Sequence, residues 1–183
     1  RDEVVVFYNN YRDSLGAVPT LYNASHLFIM SRPGGKSQAA SRNLLDSLRQ
    51  RIVGGEDFAQ LAEQFSQDPG SARSGGELGF VSRGTFVPAF ERVAYALNLG
   101  EISSLVKTEF GYHIIEVLEV LGDKVNVRHI LISPAVSPAD EDSVYAFASL
   151  VRDSIKTEED FSRLVKNHSD DMSTKETGGR LGW

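Results

Sequence analysis

Apolar and polar positions run along the chain in blocks whose spacing switches between the two-residue period of a strand and the three-to-four-residue period of a helix. Residues 21–31 (LYNASHLFIMS) read as a strand, with His26, Phe28 and Met30 on one face and Ser25, Leu27 and Ile29 on the other, because successive side chains of an extended backbone point to opposite sides. Arg32-Pro33-Gly34-Gly35 breaks that strand. Over residues 37–53, Leu44, Leu45, Leu48 and Ile52 form one helical stripe, and Gly54-Gly55 should close it with a left-handed cap. A second helix is expected over 56–66 from the spacing of Phe58, Leu61, Ala62 and Phe65. A glycine-rich loop at 67–77 then leads into a short strand at 78–82. A third helix over 88–97 opens on a proline, an extended piece lies near Leu105-Val106, and a last alternating strand covers 112–120. The order β-α-α-β-α-β predicts an α+β domain in which helices cover a small sheet.

The pattern then starts again. ASHLFIMS at 24–31 is answered by VRHILISP at 127–134, which puts His129 103 residues after His26. The same step carries Glu56-Asp57-Phe58 onto Glu159-Asp160-Phe161, Ser66 onto Ser169, Gly75-Gly76 onto Gly178-Gly179 and Leu78-Gly79 onto Leu181-Gly182. So many matches at one offset describe a tandem duplication. The second copy opens with a strand at 124–133, a helix capped by Ser137 with Pro138 in its first turn, and another capped by Thr157. The expected organisation is a helical arm and linker at 1–20, a complete domain at 21–122, and the front part of a second domain at 123–183.

Composition narrows the chemistry. The chain has 183 residues, 41% hydrophobic and 24% charged, an ordinary globular balance that supports a packed core. A net charge of −6 argues against a nucleic-acid partner, which would need clustered Lys and Arg. The absence of cysteine removes disulfides, thiol nucleophiles and thiolate metal sites. The chain starts at Arg1 and is read as a piece of a longer protein.

Six segments in order carry a family resemblance: Ser25-His26-Leu27-Phe28-Ile29, Phe58-Ala59-Gln60-Leu61-Ala62, Ser66-Gln67-Asp68-Pro69-Gly70-Ser71-Ala72, Gly75-Gly76-Glu77-Leu78-Gly79-Phe80, Phe86-Val87-Pro88-Ala89-Phe90-Glu91 and Thr108-Glu109-Phe110-Gly111-Tyr112-His113. Together they resemble the parvulin-type peptidyl-prolyl isomerases over about residues 22–121, and the front of the series recurs over 125–183. The two-copy arrangement after a helical segment is similar to that of the SurA-type periplasmic chaperones. The resemblance implies a parvulin (FKBP-like) fold, cis–trans isomerisation of X–Pro bonds without metal or cofactor, and unfolded or proline-containing polypeptides as partners, outer-membrane proteins among them. It implies a periplasmic or envelope location. It also carries over the site: His26, Asp68 and His113 as the active-site polar set, with Leu78, Phe86, Phe90 and Phe110 around the substrate proline. Phe110 stands where some relatives have a small hydroxyl residue, and Ser25 where an Arg is common.

That chemistry fits the residue types. Rotation about X–Pro is opposed by a barrier of roughly 18–20 kcal/mol because amide resonance is lost. No bond is made or broken, so an apolar pocket and a few polar groups suffice. Blander readings stand beside each assignment. The two histidines can organise the site without carrying protons, Phe86 and Phe90 can be core, and Asp68-Pro69-Gly70-Ser71 is also an ordinary turn sequence. Arg32 and Lys36 flank a short glycine loop, and a solvated surface explains them better than a phosphate clamp. The rival function is a chaperone module that holds extended chain without accelerating rotation. The second copy has His129 and Asp171 but neither pocket nor closing strand, so it is expected to be inactive, and either poorly ordered or completed by contacts with another chain.

Overall fold

The computed structural model describes residues 2–12 and 22–182. In chain order the elements are α1 (Asp2–Tyr11), β1 (Ala24–Ser25), α2 (Gly35–Val53), α3 (Phe58–Phe65), β2 (Glu77–Val81), α4 (Pro88–Ala94), β3 (Val106–Thr108), β4 (Gly111–Leu121), β5 (Lys124–Ile132), α5 (Pro138–Ser154), α6 (Glu158–His168) and β6 (Arg180–Gly182). Short 3-10 turns at Ala72–Ser74 and Lys175–Thr177 precede β2 and β6. Most of the expected linker lies outside the described residues, and α1 buries none of its side chains.

The chain divides into a unit of residues 31–143 and a unit made of 1–30 with 144–183. In the first, four antiparallel strands lie in the order β2-β5-β4-β3. Strands β4 and β5 form a hairpin from Tyr112↔Ile132 to Leu121↔Lys124. Its two-residue turn places Gly122 at φ +61°, the positive φ that tight hairpins need. Both faces of the sheet are covered, which explains why β4 is buried on both sides from Gly111 to Ile115. On one face, Tyr112, Ile114, Ile130 and Ile132 pack with Leu45, Leu48 and Ile52 of α2 and with Phe58, Leu61 and Ala62 of α3. On the other, Ile115, Val117, Val125 and Val127 pack with Phe90 and Ala94 of α4 and with Val106. Burying a side chain of this size contributes about 1.5–3 kcal/mol.

Local signals account for the helix ends. Asp57 caps α3 by accepting a hydrogen bond from Gln60 N at 2.8 Å, and Thr157 caps α6 by accepting from Asp160 N at 3.1 Å. Three details differ from expectation. The positive φ after α2 falls at Gly55, not Gly54; Leu44 is exposed beside the buried Leu45 and Leu48; and α4 ends at Ala94, short of residue 97.

The larger difference concerns the first strand. Residues 21–31 were expected to complete the sheet that carries His113. That central place is taken by β5, which sequence reasoning assigns to the second copy. Only Ala24 and Ser25 of the earlier segment join a ladder, pairing with β6 in the other unit. The boundary expected near residue 122 therefore falls inside a continuous hairpin.

Candidate functional site

Residues of odd number on β5 and on β4 as far as Val117 face α4, so His113 and His129 emerge on the same side of the sheet as Ile115, Val117 and Val127. The register pairs Ile115 with His129, which makes the two histidines diagonal neighbours across the hairpin. Their rings are nearly parallel, with 15° between planes and 5.4 Å between centroids, and meet edge to edge with the two Nδ1 atoms 3.2 Å apart. Phe90 stands edge-on to both, at 5.4 Å from His113 and 5.5 Å from His129.

Asp68 reaches this pair from the loop after α3. That loop is tied to β5: Gln67 N donates to Leu131 O at 2.8 Å and Leu131 N donates to Ser66 Oγ at 3.2 Å. Asp68 Oδ2 then lies 2.9 Å from His129 Nε2 and accepts from Ser71 Oγ at 2.5 Å, while Oδ1 accepts from Gly70 N at 3.1 Å. At the far end, Thr108 Oγ1 lies 2.7 Å from His113 Nε2 and accepts from Phe110 N at 3.1 Å. One proton assignment satisfies every member. Phe110 N–H points at Thr108, whose hydroxyl donates to His113 Nε2. His113 Nδ1–H donates to His129 Nδ1, and His129 Nε2–H donates to the Asp68 carboxylate. The sequence of donors has one direction, set by a backbone amide at one end and a carboxylate at the other.

Both imidazoles are neutral in this arrangement. Burial pushes His113 down to about 4, the adjacent His129 adds to the effect, and Asp68 opposes it. Burial also lowers His129, against the pull of Asp68. For Asp68, burial would raise the carboxyl, but hydrogen bonds from Ser71, His129 and Gly70 outweigh it and hold it below the ordinary carboxylate range.

Above the histidines opens a cavity of about 650 Å3 lined by Asp68, Leu78, Thr85, Phe86, Phe90, Phe110, His113, His129 and Leu131, among others. Phe86 and Phe90 meet at 4.7 Å between ring centroids. Asp68, His113, Leu78, Phe86, Phe90 and Phe110 are thus brought together around one cavity. His26 is not. It lies in the other unit, with Nε2 2.7 Å from Asp171 Oδ2 and 3.1 Å from Thr174 Oγ1. His129 occupies the place expected for His26. Sequence reasoning also missed Thr108 and Ser71, although both fall inside motifs already singled out. Among the described residues no group of three or more His, Cys, Asp or Glu side chains could hold a metal ion, and no helix is long and apolar enough to cross a membrane.

The arrangement offers no activated nucleophile. It offers a mostly apolar hollow with two neutral imidazoles in its lining. The PPIC-type peptidyl-prolyl isomerase (rotamase) domain matches residues 26–119 and again 129–183, and the chain belongs to this family, the parvulins. Over 99 residues it is 46% identical to the chaperone SurA of Chromohalobacter salexigens, covering 54% of this chain and 22% of that protein. Over 117 residues it is 38% identical to the foldase protein PrsA of Geobacillus kaustophilus, covering 64% and 36%. Among solved structures it is similar to the Pin protein of the archaeon Cenarcheaum symbiosum, at 36% identity over 57% of this chain and 98% of that one, with a TM-score of 0.36. The chain spans between 22% and 36% of the length of the two curated relatives.

Proposed function

We propose that the 31–143 unit is a peptidyl-prolyl cis–trans isomerase that acts on X–Pro bonds of unfolded or folding polypeptides. The observation that carries this reading is the cavity walled by Leu78, Phe86, Phe90 and Phe110 over the hydrogen-bonded pair His113 and His129. The proline ring enters the apolar end against Phe86 and Phe90, and the preceding carbonyl swings across the polar floor. A planar amide is charge-separated and a twisted one is less so. Taking the amide from water into a dry site therefore disfavours the ground state more than the transition state. The neutral imidazoles suit this task, because a fixed positive charge beneath the carbonyl would stabilise the planar, polar form. Asp68 and Thr108 act at the ends of the donor sequence, holding both rings in one tautomer. In this role the histidines are organisers of the hollow.

The kinship with SurA and PrsA supports a chaperone role beside the isomerase, and an envelope location with unfolded envelope polypeptides, outer-membrane proteins among them, as clients. Self-association through the second copy, residues 123–183, belongs to the same reading and would appear as a dimer in native mass measurement. The rival is a module that holds extended chain without accelerating rotation. Exchange NMR on an Xaa-Pro tetrapeptide with the full 183-residue chain separates the two. The expected result is cis–trans exchange well above the uncatalysed rate, each tenfold corresponding to about 1.4 kcal/mol of barrier lowering. Unchanged exchange rates with retained binding of an unfolded polypeptide would overturn the isomerase reading in favour of the holding module.

A further inference from the structure

The hollow over the histidines does not end at Phe110. That ring is 57% exposed and also walls a neighbouring cavity of about 410 Å3, with Ser133 common to both. Ser133 Oγ donates to Phe110 O at 2.5 Å, and Ser133 N donates to Gln67 Oε1 at 2.7 Å. Hydrogen bonds from the end of β5 to the loops on either side therefore fix the rim between the two cavities. The neighbouring cavity in turn shares Gln38, Lys107 and Tyr112 with a third, of about 420 Å3, that reaches Arg42 on α2. All three lie within the 31–143 unit. The series runs from the paired histidines, round the β3–β4 turn, to the opposite face of the sheet, where Tyr112 belongs to the cluster under α2.

The far end of this series has a firm floor and an excess of positive charge. Lys107 and Tyr112 are directly opposed across β3 and β4, and the ammonium stands 5.8 Å from the centre of the Tyr112 ring. Gln38 extends the floor: its Oε1 accepts from Tyr112 Oη at 3.4 Å, and its Nε2 donates to Pro33 O at 3.0 Å. Arg32 and Glu109 line the middle cavity with opposite charges, but the last cavity holds two cations, Arg42 and Lys107, and no carboxylate. Both cations are exposed, and among the described residues neither is in an ion pair. In a chain of net charge −6 this is a local reversal of sign beside the cleft, and it attracts negatively charged chain.

From these observations we propose that Lys107 and Arg42 form an extension of the cleft that selects polypeptides with acidic residues upstream of the proline. The proposal rests on the isomerase reading for the seat of the proline. With that ring against Phe86 and Phe90 and the preceding carbonyl over the histidines, the upstream chain leaves past Phe110 and Ser133. A middle cavity of about 410 Å3 takes about two residues of extended backbone, so the carboxylates that meet Lys107 and Arg42 lie beyond the residue directly preceding proline. Tyr112 and Gln38 supply the contact surface, and the two cations supply the discrimination. Continuity with the hollow favours a peptide occupant over a lipid surface.

Two proline peptides test this on the full 183-residue chain, one with Glu and one with Gln at the second and third residues before the proline. Fluorescence anisotropy should show the Glu peptide binding about 3–10-fold more tightly, as two exposed ion pairs would give. The advantage should shrink as salt is added, and Lys107→Glu with Arg42→Glu should remove or invert it. Equal affinities for the two peptides, or an advantage that survives both substitutions, would overturn the proposal. So would an advantage kept in full when the Glu pair is moved to the downstream side of the proline. Equal peptide affinities together with sedimentation on phosphatidylglycerol vesicles, lost in the doubly substituted chain, would assign the cations to a lipid surface instead. Exchange NMR on the same peptides keeps the two readings apart. Equal acceleration with equal binding removes the extension and leaves the isomerase, whereas tighter binding of the Glu peptide without acceleration removes the isomerase and leaves the extension.

Discussion

Val127→Ala is the substitution that tests which strand completes the sheet. Val127 sits mid-way along β5 with no exposure, among Phe90, Val106, Ile115, Val117 and Val125. Removing two methyl groups costs about 0.8 kcal/mol each in transfer alone. The neighbours are held by a hairpin on one side and α4 on the other, so they cannot collapse fully, and the residual cavity adds a comparable amount. The sum is about 2–3 kcal/mol. Ala24, the equivalent residue of the first copy, is exposed, so Ala24→Val should change stability by less than about 0.5 kcal/mol. One position of the repeat is energetically loud and its twin nearly silent.

Amide hydrogen exchange at Ile114 and Ile115 reads this for the 31–143 unit alone, which avoids treating a two-unit chain as one cooperative transition. Both residues are fully buried on β4. A loss of 2–3 kcal/mol in opening free energy speeds their exchange by about 30–150-fold. Unchanged rates in Val127→Ala together with slowed rates in Ala24→Val would refute the placement of β5 beside β4. That pattern would make residues 22–31 the resident strand and His26 the partner of His113.

Three further outcomes are expected. As pH falls below about 6.5 the unfolded chain takes up a proton that folded His113, lowered to about 4, still refuses. Stability is therefore unaffected above that point and declines between pH 6.5 and 4, by about 2 kcal/mol at pH 5. Denaturant midpoints for wild type against His113→Gln check this, and a flat wild-type profile contradicts it. Thr108→Val leaves the buried Nε2 of His113 without a donor and should cost about 1–3 kcal/mol, visible as a changed 15N shift at that ring and restored by Thr108→Ser. Phe86→Ala, at a half-buried position on the cavity wall, should lower kcat/KM for a proline peptide by roughly 10–100-fold, the loss of one aromatic contact; an unchanged value would remove Phe86 from the substrate path.

Much of this arrangement was legible because it depends on local pattern. The stripe of Leu45, Leu48 and Ile52, the caps Asp57 and Thr157, and the proline opening α4 each declare themselves within a few residues. The cavity residues Leu78, Phe86, Phe90 and Phe110 were legible as ordered motifs. What stayed hidden is the partner of His113. A duplicated sequence contains two segments with the same alternation and the same histidine, and periodicity cannot say which acceptor takes which. Thr108 was hidden for a different reason: a single hydroxyl carries no pattern, and its role appears only when its neighbours' hydrogen bonds are counted.

The choice between the two strands is decided by side chains and not by connectivity. Both are tethered closely to the 31–143 unit, β5 through the two-residue turn after β4 and residues 22–30 through the short lead into α2, and loop-closure entropy changes only slowly with length. Backbone hydrogen bonds do not decide either, since Gly76 and Gly179 hold their strands at 2.9 and 2.8 Å. Two of the positions at which the segments differ bear on this directly. Val127 against Ala24 is worth about 2 kcal/mol or more of buried surface. Arg128 against Ser25 adds a half-buried ion pair with Glu116 at 2.7 Å and a guanidinium 4.6 Å from the Phe58 ring, where desolvation makes such contacts stronger than at an open surface. Specificity between duplicate strands is a difference of two affinities. Here a methyl pair and one guanidinium contribute to it, so the double substitution Val127→Ala with Arg128→Ser should narrow the preference for His129 over His26 beside His113.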